Sequence, residues 1–156
     1  MRKASKVRFT IVPGRGAASG QREFADLGGS INAQKPKFKE RGIDLSGFHN
    51  GTINLDVSPG RLEMRRPLLA VSGIDWLAGF PPEDFAFCSC AIEIGETIAP
   101  GLVYYPRPET KVAHAPLVSP SLVEVLAPYI EGIGYGTTGR LYYDDHQMEI
   151  VQRSSR

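Results

Sequence analysis

No stretch of 12 or more residues in this chain carries the apolar repeat of an amphipathic helix; short β-prone runs recur instead, broken by glycine and proline. Val7-Arg-Phe-Thr-Ile-Val12 is rich in β-branched residues and reads as a strand. Gly51-Thr-Ile-Asn-Leu-Asp-Val57 alternates, which places Thr52, Asn54 and Asp56 on one face and Ile53, Leu55 and Val57 on the other. Further strands are expected over Leu68–Val71, Phe85–Ile94, Leu102–Tyr105, Arg140–Tyr143 and Met148–Val151, and a strand or short helix over Leu122–Leu126. Many short strands with turns between them suggest a mainly β barrel or sandwich with little helix.

The remaining segments are punctuation. Gly28-Gly29 looks like a turn before a short strand, and Pro36 would confine any strand over Lys35–Lys39 to an edge. A helix-like stretch is expected near Asp75–Ala78, and residues 152–156 read as a loose tail. At 156 residues the chain is expected to be one domain, 1–156, able to bury a core without metal or disulfide.

The net charge of +1 hides an asymmetry. Residues 1–66 hold 13 Lys+Arg against 6 Asp+Glu, and residues 67–156 hold 5 against 11. A basic half can attract phosphate-bearing ligands, or two halves lying side by side can neutralise each other. Cys88 and Cys90 lie two apart in an apolar run. They therefore share a strand face and read as buried free thiols, since a lone Cys-x-Cys lacks the second ligand pair of a zinc site. No run approaches the ~18 apolar residues of a membrane span, and the apolar stretch after the basic N-terminus stops at Pro13, so a cytoplasmic protein is expected.

Three places could carry chemistry. Gly14-Arg15-Gly16-Ala-Ala-Ser19-Gly20 follows a strand. Its backbone N–H groups could form an anion nest with Arg15 as a forked donor, or the segment is a plain turn. It is neither a Walker A loop nor a convincing dinucleotide fingerprint. Thr52, Asn54 and Asp56 present three oxygen-bearing side chains; these suit Mg²⁺ with a nucleotide supplying charge, or form an exposed polar strand face. Glu124, between apolar neighbours, reads as a general base or as outward alternation. His49, His114 and His146 have no metal-ligand spacing.

Taken together, these segments resemble the CTP-dependent riboflavin kinases known chiefly from archaea. Gly14-Arg-Gly16…Gly20 corresponds to the family's glycine-rich loop and Gly51-Thr-Ile-Asn54 to its Gly-Thr-Leu-Asn motif. Pro106-Arg-Pro-Glu-Thr110 and Glu124-Val-Leu-Ala-Pro128 correspond to its Pro-x-x-Thr and Glu-Ile-Ile-Ala-Pro segments. The order is kept over about residues 7–143. The chain departs from the pattern where Ala17-Ala-Ser19 separates the glycines and where Gly134–Gly139 stands in place of Asp-Gly-Asp.

The resemblance implies a six-stranded cradle-loop β-barrel and transfer of the CTP γ-phosphate to riboflavin, giving FMN. It implies that Gly14, Arg15, Gly16, Ser19 and Gly20 lie against the nucleotide and that Thr52 and Asn54 hold Mg²⁺. It further implies that Glu124 orients or deprotonates the acceptor hydroxyl and that Thr110 lines the flavin side. The expected partners are thus a CTP-like nucleotide and a flavin-like small molecule. The alternatives are a non-catalytic barrel that binds a nucleotide, flavin or other small ligand and, last, a basic nucleic-acid module. The last is disfavoured because only Phe38 interleaves with the lysines.

Overall fold

The computed structural model describes residues 4–13, 30–110 and 119–152. Among the described residues the strands are β1 (Ala4–Ile11), β2 (Ile53–Asp56), β3 (Arg61–Met64), β4 (Leu69–Ile74), β5 (Glu83–Ile94), β6 (Thr97–Pro106), β7 (Leu122–Leu126), β8 (Thr138–Asp144) and β9 (Met148–Val151). One helix, α1 (Ser30–Glu40), lies between β1 and β2 in the chain. No described helix is long and apolar enough to cross a membrane.

Seven strands form an antiparallel sheet in the order β4-β5-β6-β7-β2-β1-β8, and β8 pairs back onto β5. Six strands therefore close a ring. The length of β5 makes this closure possible. Its 12 residues span roughly 40 Å at ~3.3 Å per residue. One edge pairs with β6 over Phe85–Ile94, while the other is shared, by β4 along Glu83–Phe87 and by β8 along Cys90–Glu93.

Alternation divides the side chains between two cores. Phe9, Ile11, Leu55, Val57, Cys88, Cys90, Ile92, Val103, Val123, Val125 and Leu141 pack on the inner face of the ring. The ribbon of β3 and β9 joins them through Met148 and Ile150, with Leu62 and Met64 against the same core. The opposite phase of β5, β6 and β7 carries Phe85, Phe87, Tyr104 and Leu126, which form a second core beneath α1 with Ile31 and Phe38. Both cysteines are buried and free, as their shared phase requires.

The helix replaces the short strand and the edge strand expected between residues 30 and 39, while the turn expected at Gly28-Gly29 lies outside the described residues. Only Ile31 and Phe38 are large apolar anchors on its buried face, and Gln34 fills the slot between them, so the apolar repeat is too sparse to read. Pro36 sits inside the helix and removes one N–H. Phe38 compensates by meeting Phe85 and Phe87 edge-on, at ring-centroid distances of 4.9 and 5.3 Å. The helix ends in a Schellman turn. Ile43 N–H donates to the Phe38 carbonyl and Gly42 N–H to that of Lys39, with Gly42 at φ 86°. Ile43 and Phe38 then meet in the same core.

One smaller expectation is also corrected. Residues 75–78 are not helical: the chain turns over Leu77–Phe80, where Phe80 N–H donates to the Leu77 carbonyl at 3.2 Å, and Trp76 Nε1–H donates to Glu83 Oε2 at 2.7 Å. Arg61–Met64, which carries no clear strand signal, is drawn into a separate two-stranded ribbon by pairing with β9. The basic and acidic halves interleave: β1, β2 and β3 pair with β8, β7 and β9.

Candidate functional site

The outer face of β2, β7 and β6 carries a polar row just past the edge of α1. Register sets it. Asn54 of β2 lies opposite Glu124 of β7, and Glu124 lies opposite Tyr104 of β6, so all three side chains share one face. Ile53 and Val125, one residue out of phase, point to the inner core. The apolar alternation that builds the ring therefore aims the polar positions of the same strands outward.

Thr52, at the entry to β2, donates its hydroxyl proton to Glu124 Oε1 at 3.2 Å. Thr52, Asn54 and Glu124 are all half-buried. The Asn54 side chain makes no hydrogen bond to another described residue, while its carbonyl accepts from Val12 N–H at 3.0 Å. Val12 immediately precedes Pro13, the last described residue before the glycine-rich segment. The chain thus leaves β1 beside Asn54 and returns at Ser30, the start of α1.

On the helix side, the Tyr104 hydroxyl donates to Gln34 Oε1 at 2.8 Å, in a site where both residues are buried. Burial, reinforced by the Glu124 carboxylate, holds the Tyr104 phenol well above its ordinary range. Tyr104 therefore stays a neutral donor and fixes α1 against the strand that faces Glu124. Lys35 Nζ, one residue along, donates to the Phe48 carbonyl and ties α1 to the segment leading into β2. Burial lowers its pKa, and the nearby Asp44 partly restores it.

Three of the residues singled out from sequence, Thr52, Asn54 and Glu124, are thus neighbours. Asp56 does not join them. Its Oδ1 accepts from both the Ser58 amide and the Ser58 hydroxyl, closing the turn at the cis Ser58–Pro59 bond, and these bonds lower its pKa. Thr110 ends the 3-10 turn Pro108–Thr110 after β6. Its hydroxyl accepts from Asp84 N–H at 2.8 Å and donates to the Arg107 carbonyl at 3.3 Å. Gly14, Arg15, Gly16, Ser19 and Gly20 lie outside the described residues, as does His114. Among the described residues no three His, Cys, Asp or Glu side chains converge on a metal position.

Sequence reading missed Tyr104 and Gln34. Tyr104 looked like one more apolar strand position, and Gln34 sat in a segment with no helical signal; their shared burial is visible only once α1 is laid on the sheet. The arrangement offers two neutral oxygen donors and a carboxylate in one half-buried patch, backed by a rigid hydrogen-bonded pair. Such a patch can hold a hard cation and a hydroxyl-bearing ligand together. No protein-family model matches the chain, and no curated protein matches it.

Proposed function

We propose that the protein is a riboflavin-kinase-like phosphotransferase that moves the γ-phosphate of CTP to riboflavin, with the polar row on β2, β7 and β6 as its reacting centre. The ring of six strands is read here as the cradle-loop barrel of that family. The observation that carries the proposal is the convergence of Thr52, Asn54 and Glu124, three residues 72 or fewer positions apart that only the β2–β7 pairing brings together.

The donor set fits Mg²⁺. The Thr52 proton is directed to Glu124, which leaves the lone pairs of Oγ1 for a cation, and the Asn54 amide oxygen adds a second hard, neutral donor. A bound Mg²⁺ would supply charge neutralisation for the transferring phosphoryl group. Phosphoryl transfer asks a protein mainly for positioning and electrostatics, and the chain's own residues provide the positioning. Thr52, at the entry to β2, and Asn54, within it, lie two residues apart beside Glu124. Glu124 accepts a hydrogen bond from the Thr52 hydroxyl and, as a carboxylate with about four acceptor sites, can also accept one from the 5′-hydroxyl of the ribityl chain. Gln34 and Tyr104 hold the adjoining wall in place.

The test is turnover. Riboflavin, CTP and Mg²⁺ incubated with the protein should give FMN and CDP by mass spectrometry. Glu124→Gln, which keeps the side-chain shape and removes the acceptor charge, should lower kcat by about 10²–10⁴-fold if proton transfer is its role. Tight binding of either ligand without FMN would favour a non-catalytic binding protein of the same fold, and FMN formation at an unchanged rate in Glu124→Gln would remove Glu124 from the reaction.

A further inference from the structure

The loop that joins β7 to β8, residues 127–137, crosses the end of the ring where Thr52 meets Glu124. Topology requires this. In the sheet β7 and β8 are separated by β2 and β1, so the connection must pass over the start of β2 and the end of β1. It is held there at several points. His49 N–H donates to the Ala127 carbonyl at 2.9 Å, Gly136 N–H donates to the Ile11 carbonyl at 2.8 Å, and Ile133 packs against the inner core. Within this anchored loop Tyr129 is 71 % exposed, with its ring 5.6 Å from that of His49. A large aromatic exposed to that extent gains little from the fold. Here it is nevertheless braced by a second ring and tied through the backbone to the segment that carries Thr52.

We propose that Tyr129, braced by His49, is a stacking platform for the planar heteroaromatic ring of a ligand whose polar end reaches Thr52, Asn54 and Glu124. The proposal rests on the phosphotransferase reading, because that reading supplies ligands with a ring at one end and a phosphate or hydroxyl at the other. His49 is three residues from Thr52, so the platform and the oxygen donors lie within roughly 10 Å of backbone reach. The ring chemistry is shared by a flavin and a pyrimidine base. Stacking on a tyrosine tolerates either, since each presents a π-face.

The experiment titrates riboflavin and, separately, CTP with Mg²⁺ into wild type, Tyr129→Ala and Tyr129→Phe. Riboflavin is followed by its fluorescence and CTP by calorimetry. Leu68→Ala, an exposed position beside the outer-edge strand β4, serves as the comparison. Tyr129→Ala should weaken one of the two ligands by about 5- to 150-fold, the range expected for loss of one base–aromatic stack. Tyr129→Phe should bind within a few-fold of wild type, and Leu68→Ala should be unchanged for both ligands. The weakened ligand identifies whose ring lies on the platform. Wild-type affinity for both ligands in Tyr129→Ala overturns the platform and leaves the phosphotransferase reading standing. Failure of wild type to bind either ligand overturns both.

Discussion

Gly139 marks the place where the ring closes. It lies on β8 opposite Phe9 of β1, and a methyl group there would fall 2.3 Å from the Glu93 carbonyl oxygen, 2.7 Å from Phe9 Cζ and 3.2 Å from Ile94 Cγ1. The nearest of these is backbone on β5 and cannot swing aside, so Gly139→Ala must push β8 away from β5 or displace Phe9. Overpacking of this kind costs about 1–3 kcal/mol, and the reduced entropy of the unfolded chain returns only about 0.4–1 kcal/mol. A net loss of about 1–2 kcal/mol corresponds to a fall in Tm of roughly 2–8 °C for a chain of this size. Gly47 supplies the contrast. Nothing lies within 4 Å of a methyl group there and its φ is not left-handed, so Gly47→Ala should be neutral or slightly stabilising. Urea and thermal unfolding followed by far-UV circular dichroism measure both. A Gly139→Ala protein as stable as wild type, with unchanged urea dependence, would refute the closure of β8 on β5.

Other outcomes follow from the two cores. Phe38→Ala removes the fully buried anchor of α1 and both edge-on ring contacts, and should cost about 3–5 kcal/mol in urea unfolding. A loss below about 1 kcal/mol would show that α1 is not docked through this ring. Tyr104→Phe strands the buried Gln34 without its donor and should cost about 1–3 kcal/mol, whereas a double change to Tyr104→Phe with Gln34→Leu should recover part of it. Burial pushes the Cys88 thiol up to about 11 and the Cys90 thiol up to about 12. A thiol reagent at pH 8 should therefore label neither at a rate typical of a free cysteine, and rapid stoichiometric labelling of both in native buffer would contradict their burial. The same shifts fix a sign. The unfolded thiols ionise near pH 9 while the folded ones keep their protons, so these groups make stability fall as pH rises from about 9 towards 11–12. Stability that rises across that window in wild type but not in Cys88→Ala with Cys90→Ala would reverse the argument.

What was legible in the sequence depended on how many strong positions each element carries. β5 announced itself because Phe85, Phe87, Cys88, Cys90 and Ile92 leave little polar surface on either face, the pattern of a strand covered on both sides. β2 was legible for the opposite reason, a strict alternation that also gave the correct phase for Thr52 and Asn54. The helix was hidden because its buried face spends one of its three inward positions on Gln34 and carries a proline. That glutamine makes sense only beside Tyr104, 70 residues away. β3 was hidden because Arg-Leu-Glu-Met has no β preference of its own and takes its conformation from β9. The closing contact between β5 and β8 could not be read at all, since register between strands distant in sequence leaves no local mark. For the site, motif order singled out Thr52, Asn54 and Glu124, but only pairing showed that Thr52 bonds Glu124 with Asn54 opposite it, and only the turn at Ser58 showed that Asp56 is otherwise engaged.

The central claim is that Thr52 and Asn54 hold Mg²⁺ against a nucleotide. Asn54→Leu tests it with little structural disturbance, because the side chain is half-buried, keeps its size and makes no hydrogen bond to another described residue. Polar groups at functional positions are often neutral or costly for stability, so the variant should melt close to wild type. Calorimetric titration of CTP, with and without Mg²⁺, into wild type and Asn54→Leu is the direct measurement. The account predicts Mg²⁺-dependent binding of CTP by wild type and its loss in Asn54→Leu at an unchanged melting temperature. Equal Mg²⁺-dependent affinity in the two proteins, or no nucleotide binding by wild type, would contradict it.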